Sequence, residues 1–300
     1  MHSLTRRSFL ISAGTLAGMR TLTGATPNPA FLATGRETYI QNSEGERIWE
    51  YPHATRDGWV LRNGNVLLAV NKRENYGGGV VEVTRSGEEA FRYDGAQTEV
   101  NTVQPLPNGR ILLTEAGDRP RLLEIERSGK IAVEVSIETQ TENHHLQTRM
   151  SRKLPNGNYL VPQMGEKEVR EYTPEGRVVW RFSTPNWPFT AIRLANGNTL
   201  TTCTLGHEVM EVDADGKTVW RLSNDDLLEP IIQDACGAQR LPNGNTVITS
   251  YRGGANGVKL FEISRDKRVL WTYRDPNPWG IHHFQILKAN GAPPDETPLK

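Results

Sequence analysis

The sequence has little cysteine, and its one candidate membrane segment is too short to cross a bilayer. The 300 residues contain only Cys203 and Cys236, which are neither adjacent nor part of a Cys-x-x-Cys pair. This excludes zinc ribbons and dithiol redox motifs. Two cysteines in an exported protein could pair, but these two map to offset positions of neighbouring repeats, so we expect both thiols to be free. The apolar residues 9–19 fall short of the ~20 residues that cross the ~30 Å hydrocarbon core, so no transmembrane span is expected.

The sequence also lacks an excess of charge of one sign. It has 35 basic and 35 acidic residues. Residues 1–25 carry three arginines and no acid, so without them the chain has 32 basic and 35 acidic residues, a net charge of −3. This weakly acidic balance gives no support for binding to nucleic acid or to a membrane surface. Long apolar runs with helical spacing are missing too, whereas 28 glycines and 18 prolines favour turn-rich β structure.

Residues 1–25 have the pattern of an export signal. Arg6 and Arg7 stand in Thr-Arg-Arg-Ser-Phe-Leu, which resembles the twin-arginine motif, and the apolar residues 9–19 follow. Small residues at 23–25 suit a signal peptidase, and we place the cleavage after Ala25. We therefore expect a periplasmic or secreted protein. The alternative interpretation is a disordered basic leader.

The strongest signal is an internal repeat. A turn signature occurs six times, five times as Leu-x-Asn-Gly and the last time as Leu-x-x-Asn-Gly, with its asparagines spaced 45, 48, 40, 47 and 47 residues apart. Asn-Gly favours tight hairpins because both residues tolerate positive φ. The six turns are centred on Asn63, Asn108, Asn156, Asn196, Asn243 and Asn290.

A second signature alternates with the first. It reads apolar–Glu–apolar, then a polar turn, then a strand that often ends in tryptophan, as at Glu171 with Trp180 and at Glu211 with Trp220. Each period therefore encodes four short antiparallel strands, which is one propeller blade. We predict an all-β fold, a six-bladed β-propeller over residues 36–290. A two-sheet sandwich is the alternative, but it rarely carries six equal repeats.

The two ends of the chain share one blade in this prediction. Residues 37–51 match the second half of a repeat, and residues 281–287 match the beginning of one. Pairing of N- and C-terminal strands would close the ring and leave no open sheet edge. The tail 291–300 contains three prolines, and we expect it to be disordered.

These motifs resemble a known group of repeats. Leu-Pro-Asn-Gly-Asn-Thr followed by Glu-Val-Asp-x-Asp-Gly-Lys-x-Val-Trp is similar to the repeats of bacterial arylsulfotransferase-like propellers and to the tryptophan-docking repeats of pyrroloquinoline-quinone-like propellers. The resemblance covers about residues 36–290 and implies the architecture. Trp49, Trp180, Trp220 and Trp271 follow the period of the repeat, so we assign them to packing between blades.

The histidines predict a functional face. Strand order puts the tight turns on one face and the irregular joins on the other, and all six histidines after His2 map to the irregular face. Imidazole can act as nucleophile, acid–base group or metal ligand. The same face carries aromatic residues that could hold a ring, namely Trp59, Trp187, Trp279 and Phe189. It also carries arginines that could hold an anion, namely Arg56, Arg149, Arg252 and Arg274.

The candidate catalytic residues are His145, His282, His283, Arg149 and Arg274. The candidate ligand-binding residues are His53, Asp57, Trp59, Asn101, His144, Trp187, His207, Arg252 and Trp279.

Three kinds of function remain open at this point. The first is a binding propeller that holds a small molecule, a glycan or a protein at the channel mouth. The second, implied by the resemblance, is a transferase in which a histidine takes a sulfuryl group and passes it to a phenol. The third is a quinoprotein oxidoreductase, which the absence of adjacent cysteines disfavours. No His-x-His or His-Glu-x-x-His motif indicates a metal, the cofactor is not specified by the sequence, and we expect a monomer.

Export is the first testable consequence. Changing both Arg6 and Arg7 to Lys should leave the precursor in the cytoplasm, because the following apolar stretch is too weak to direct export by itself. Cell fractionation of the native host, with the unchanged precursor beside it, measures this. Normal export of the double variant would contradict the twin-arginine interpretation.

Overall fold

The computed structural model describes residues 28–300, so the expected signal 1–25 lies outside the described residues. Six four-stranded antiparallel sheets follow one another around a ring, which confirms the six-bladed all-β prediction. No helix within residues 28–300 has the length and apolar character needed to span a membrane. Two short 3-10 helices, His144–Leu146 and Asn224–Asp226, lie in joins between blades.

The strands run from the channel outward in each blade. Blade 1 consists of β4 (Thr55–Val60), β5 (Val66–Val70), β6 (Gly79–Val83) and β7 (Glu89–Asp94). Blade 2 consists of β8 (Glu99–Pro105), β9 (Ile111–Ala116), β10 (Arg121–Ile125) and β11 (Ile131–Ser136). Blade 3 consists of β12 (Arg152–Lys153), β13 (Tyr159–Gln163), β14 (Glu168–Tyr172) and β15 (Val178–Ser183).

The remaining blades repeat the pattern. Blade 4 consists of β16 (Trp187–Arg193), β17 (Thr199–Thr204), β18 (Glu208–Val212) and β19 (Thr218–Ser223). Blade 5 consists of β20 (Ala235–Arg240), β21 (Thr246–Ser250), β22 (Val258–Ile263) and β23 (Val269–Arg274). Blade 6 consists of β24 (Ile281–Leu287), β1 (Ala30–Gly35), β2 (Thr38–Gln41) and β3 (Arg47–Tyr51).

Ring closure uses one C-terminal and three N-terminal strands. β24 pairs with β1 in a register that runs from Leu287 opposite Ala30 to Ile281 opposite Gly35. The propeller therefore begins at Ala30, and the predicted start at residue 36 omitted a whole strand. Residues 30–35 carry no repeat signature because their tight turn lies at the other end of the chain, whereas all six are buried.

The tail also differs from the prediction. Residues 291–300 follow a defined path across the tight-turn face: the Leu299 carbonyl accepts from the Arg240 amide at 2.9 Å, and Lys300 is buried in the channel. The ammonium of Lys300 lies 3.2 Å from Asp57 Oδ1 and donates to the Gly58 carbonyl at 2.7 Å. Prolines allow an extended path, and this buried ion pair fixes its end.

The glutamate of the second signature joins neighbouring blades. Asn198 Nδ2, in the Asn-Gly turn of the same blade, donates to Glu211 Oε1 at 2.7 Å. Arg240 and Arg265 of the next blade donate to Glu211 Oε2. Glu211 is buried, so the three donors offset the cost of removing its charge from water. Glu82, Glu124 and Glu171 make the same type of contact with the following blade.

The predicted role of the repeat tryptophans in packing is supported by their contacts. The indole of Trp220 donates to the Arg265 carbonyl of the next blade at 2.9 Å and packs against the apolar core between the two blades. Trp180 donates to the Ala214 carbonyl at 2.7 Å, and Trp49 donates to the Thr84 carbonyl at 3.3 Å. Each ring therefore fixes the position of one blade on the next.

We expect Trp220→Ala to lower the free energy of unfolding by about 2–3 kcal/mol, less than a fully buried tryptophan because the ring is half-exposed. Trp279→Ala is the matched control, because that ring is 43% exposed and does not follow the repeat. Chemical denaturation of both variants measures the difference. Equal losses would contradict the packing role of Trp220.

Candidate functional site

Five of the six inner strands have a register shift near the irregular face. Pairing of β4 with β5 shifts register around Arg56, and pairing of β8 with β9 shifts around Asn101. Similar shifts occur around Phe189 in β16, Cys236 in β20 and His282 in β24. A β-bulge re-aims the side chain of its extra residue. These bulges therefore give the channel mouth side chains that the regular ladder would direct elsewhere.

Blade 3 supplies the sixth position with Arg149, which precedes its short inner strand and whose amide donates to the Pro162 carbonyl at 3.1 Å. Five of the six positions lie five residues before the leucine of the turn signature. In blade 6 Lys288 takes the place of that leucine in the turn, and His282 lies six residues before it. We call them the mouth ring. The mouth ring consists of Arg56, Asn101, Arg149, Phe189, Cys236 and His282.

Positive charge in the mouth ring exceeds the available negative charge. Glu99 is buried and is shared by Arg56 at 3.4 Å, Lys72 at 2.6 Å and His145 at 3.2 Å. Burial raises the pKa of the Glu99 carboxyl, but the three partners together lower it by more than burial raises it. The net shift of the pKa is downward, so Glu99 stays ionised. One carboxylate thus faces three basic groups before Arg149 is counted.

Arg149 is fully buried and forms no ion pair with any of residues 28–300. Its Nη1 donates to the Thr148 carbonyl at 2.6 Å, whereas its Nε and Nη2 have no acceptor among the described residues. Burial and the neighbouring Arg56 lower the pKa of Arg149 to about 9. The Nε of Arg56 is also buried without an acceptor. A buried donor without an acceptor lowers the stability of the fold by about 1–3 kcal/mol, and by more when the donor is charged. The loss is removed when an acceptor reaches the donor.

Aromatic rings form the adjacent wall. The imidazole of His282 stacks on Tyr251 with centroids 4.2 Å apart and planes at 10°. The Phe189 ring lies 6.0 Å from the His282 centroid with the planes at 18°, and the Arg149 guanidinium sits 5.8 Å from the Phe189 centroid. The wall combines flat apolar faces with cationic donors, which suits a ring that carries an anionic group.

The histidines of this site are held neutral. Burial, together with Arg56 and Arg149, keeps the pKa of His282 well below its ordinary value. For His145, the hydrogen bond to Glu99 raises the pKa, but burial, Arg149 and Arg56 outweigh it and the net shift is downward. A neutral imidazole can accept a proton or attack an electrophile. The side chain of His145 is 47% exposed and lies at the entrance.

A second polar cluster closes the channel below the mouth ring. Asp57 is buried and forms a forked ion pair with Arg152 at 2.8 and 3.3 Å. His283 lies 3.7 Å from Asp57, and the Lys300 ammonium lies 3.3 Å from His283 Nδ1 and 4.3 Å from the Trp59 centroid. Burial lowers the pKa of Lys300 to about 7 against the opposing effect of Asp57. The charged groups of this cluster are paired with one another, whereas the buried Nε2 of His283 has no hydrogen-bond partner among residues 28–300. The paired charges fix the end of the tail.

The structure separates the predicted site residues into groups. Arg149, Asn101 and His282 are in the mouth ring, and His145 is beside it. Asp57, Trp59 and His283 belong to the lower cluster. Arg274 is exposed on the outer strand β23 and lies 3.4 Å from Glu229, so it does not join the other catalytic candidates.

The other ligand-binding candidates surround the mouth at greater distance. Trp187 packs beside Phe189 and Cys236 under the mouth ring. Arg252 pairs with Asp234 at 2.6 Å, and the Asp234 amide donates to His207 Nδ1 at 3.4 Å. Three candidates lie at the periphery: His53 beside Arg73, His144 beside Thr98, and Trp279 beneath Arg36.

Sequence reasoning missed Glu99, Tyr251, Arg152 and Lys300. Glu99 and Tyr251 lie outside the repeat signatures, and Lys300 lies in the tail that was expected to be disordered. One usable signal was present: aligning the repeats on their Asn-Gly turns places Arg56, Asn101 and Arg149 in one column, and His282 lies one position earlier than that column. Polar residues in a column that belongs to buried inner strands indicate a site.

Cys203 and Cys236 are both buried free thiols, as expected. Burial raises the pKa of each thiol to about 12, so neither is a ready nucleophile. Within residues 28–300, no group of three His, Cys, Asp or Glu side chains is placed to hold a metal ion.

Comparison with known proteins places the fold in a class. Residues 165–282 match the family model described as outer membrane protein assembly factor BamB, a pyrroloquinoline-quinone-like repeat. The chain therefore contains repeats of this type within a six-bladed β-propeller. No curated protein matches the chain.

Several solved structures share the architecture. A protein of unknown function from Bacteroides caccae is 25% identical with a TM-score of 0.75, over 86% of this chain and 98% of that chain. A catalytically inactive virginiamycin B lyase from Staphylococcus aureus, solved with quinupristin, is 14% identical with a TM-score of 0.57, over 84% of this chain and 86% of that chain. A nidogen/laminin complex is 10% identical with a TM-score of 0.63, over 87% of this chain and 98% of that chain. At such identities the last two show the fold alone.

The buried histidines predict a loss of stability in mild acid. His282 and His283 have native pKa values well below 6.5, so the unfolded chain binds protons that the native chain does not as the pH falls below 6.5. The free energy of unfolding should therefore fall from pH 6.5 to 5, above the range where the paired carboxylates titrate. Urea denaturation across this range measures it.

His282→Phe keeps a ring beside Tyr251 but removes the titration, so its stability should fall less steeply with acid. His207→Asn is the control, because that imidazole is exposed and asparagine tolerates the positive φ of 52° found there. A His282→Phe profile as steep as that of the unchanged protein would show that His282 is not held neutral.

Proposed function

We propose that this protein is an exported, periplasmic binding propeller that takes an anionic, ring-bearing small molecule or sugar in its mouth ring. Export is supported by the residues at 1–25, and the repeat type is supported by the family match over 165–282. The anion lies against the guanidinium groups of Arg56 and Arg149, and its ring lies against Tyr251 and His282.

The observation that carries this proposal is the state of Arg149. A fully buried guanidinium with two nitrogens lacking an acceptor is costly unless a further acceptor reaches it. The nearest carboxylate, Glu99, is already occupied by Arg56, Lys72 and His145. A carboxylate or sulfate offers several oxygens to a guanidinium fork and would satisfy both arginines. The free donors therefore favour an anion as ligand.

The proposal is tested with the two probes glucuronate and 4-nitrophenyl sulfate, titrated by calorimetry. We expect at least one to bind, and Arg56→Gln to weaken it by about 10- to 100-fold, since one charge-assisted contact contributes about 1.5–3 kcal/mol. Arg274→Gln is the matched control, because Arg274 is an exposed arginine paired with Glu229 far from the mouth ring. Its affinity should equal that of the unchanged protein.

Binding of neutral glucose with similar affinity would contradict an anion site. So would an affinity that Arg56→Gln and Arg274→Gln reduce equally. Raising the salt concentration should weaken binding only modestly, because the guanidinium of Arg149 is buried and screened little.

Sulfuryl transfer is a second candidate, favoured by one observation: the neutral imidazole of His282 lies in the electrostatic field of Arg56 and Arg149. In such a reaction an imidazole nitrogen attacks sulfur, the phenolate leaves, and the sulfuryl group then passes to an acceptor phenol. Release of 4-nitrophenol from 4-nitrophenyl sulfate that requires an acceptor phenol and disappears in His282→Ala supports transfer. Binding without release supports the binding role alone.

A further inference from the structure

A groove of about 910 Å³ runs between blades 1 and 2 beside the mouth ring. This volume is near the upper end of the ~300–1,000 Å³ found for ligand clefts. Lys72 lines the groove, and its ammonium also contacts Glu99 at 2.6 Å. Thr98 lines it as well, and its hydroxyl lies 2.9 Å from His144 Nδ1, next to His145 at the site entrance. The groove is therefore linked to Arg56 of the mouth ring by the chain of contacts from Lys72 through Glu99.

Positive charge in the groove is only partly neutralised. Arg121 pairs with Glu115 at 2.8 Å and with Glu134 at 3.1 Å, and Asp118 lies 3.3 Å from His144. Arg73 and Arg119 also line the groove, are exposed, and form no ion pair with any of residues 28–300. Nη1 of Arg73 lies 3.1 Å from the ring nitrogens of His53, which does not neutralise its charge. Both guanidinium charges therefore remain for a ligand.

The surface of the groove suits sugar hydroxyls. Arg73 covers the face of Tyr76 at 5.1 Å from its centroid, which holds the guanidinium over the groove. The Asn75 amide and the Ser136 hydroxyl line the groove and make no side-chain hydrogen bond within residues 28–300. Such groups donate to and accept from hydroxyls.

We propose that the ligand is an acidic oligosaccharide whose terminal charged unit lies on Arg56 and Arg149 and whose following units lie in the groove on Arg73 and Arg119. This inference rests on the proposed function, because it extends the same site outward. The charged group is a carboxylate or a sulfate, which share the same guanidinium chemistry.

An acidic peptide fits the groove less well. Peptides bind along free backbone groups, but the join between the blades has its amides occupied: Gly95 donates to the Gly78 carbonyl at 2.9 Å, Ala96 to Glu115 at 2.9 Å, and Arg119 to Gln97 at 2.9 Å. The groove thus offers mainly side chains.

A single-stranded nucleic acid also fits the groove less well. It needs successive aromatic side chains on which its bases stack, whereas Tyr76 is the one aromatic residue lining the groove and Arg73 already covers it.

The test compares chain length. Calorimetric titration of the chain from residue 26 onward uses galacturonate, trigalacturonate, a sulfated heparin tetrasaccharide and hexa-aspartate. We expect trigalacturonate or the sulfated tetrasaccharide to bind at least about tenfold more tightly than galacturonate. Arg73→Ser with Arg119→Ser should abolish that gain and leave the affinity for galacturonate unchanged. Arg181→Ser with Arg268→Ser, two exposed arginines that do not line this groove, is the matched control.

The outcomes separate the two proposals. If galacturonate binds but longer saccharides gain nothing, or the groove variant keeps the gain, the oligosaccharide inference is wrong and the mouth site stands. If hexa-aspartate shows an affinity equal to the saccharides and the same loss in the groove variant, the ligand is a peptide and the inference is also wrong. If none of the charged probes binds, both proposals fail. A gain for only one of the acidic saccharides identifies the charged group as carboxylate or sulfate.

Discussion

The structure depends on the contact between each blade and the next, because a ring closes only when successive blades meet at nearly the same angle. A buried glutamate makes much of this contact. Glu211 accepts from Asn198 of its own tight turn and from Arg240 of the following blade. Glu171 does the same with Asn158 and Arg193. The glutamate connects the Asn-Gly turn of its own blade to the next blade. The residues of the repeat signature are therefore the same residues that set the angle between successive blades.

The regular arrangement of the blades also determines which residues form the site. Blades that repeat in sequence bring equivalent positions of their inner strands around one channel, so six residues far apart in the chain face each other. Two of those positions are arginines, Arg56 and Arg149, and among residues 28–300 only Glu99 is near enough to neutralise them. Two cations buried together destabilise each other and the fold. Such an arrangement is consistent with a site that becomes fully satisfied only when an anion binds.

The mouth ring and the lower cluster show two uses of buried charge in one channel. Asp57 is surrounded by Arg152, Lys300 and two backbone amides, and its carboxylate is satisfied within the chain. Arg149 stands one position earlier in the repeat than Asp57, and two of its nitrogens have no acceptor among residues 28–300. We therefore assign a structural role to the lower cluster around Asp57 and propose ligand binding for the mouth ring around Arg149. Both sets contain residues that were candidates from the sequence.

Much of the fold could be predicted because its signals are local. Asn-Gly turns, the Glu and the repeat Trp recur at fixed spacing, and each encodes a contact within a blade or with the next one. The strand Ala30–Gly35 and the path of residues 291–300 could not be predicted, because neither carries a repeat signature and both depend on partners across the ring. Arg274 was grouped with Arg149 because both map to the same face. The sequence does not reveal that the first lies at the rim and the second at the centre.

The most direct test of the central claim is a crystal structure with selenate, measured at the selenium absorption edge. An anion site predicts an anomalous peak within hydrogen-bond distance of Arg149 Nε or Nη2 and close to Arg56. The Arg56→Gln protein, crystallised in the same way, should lose or weaken that peak. If Arg149 instead donates both nitrogens to a carboxylate or carbonyl of the chain and no peak lies beside it, the mouth ring is a structural cluster and the account is wrong.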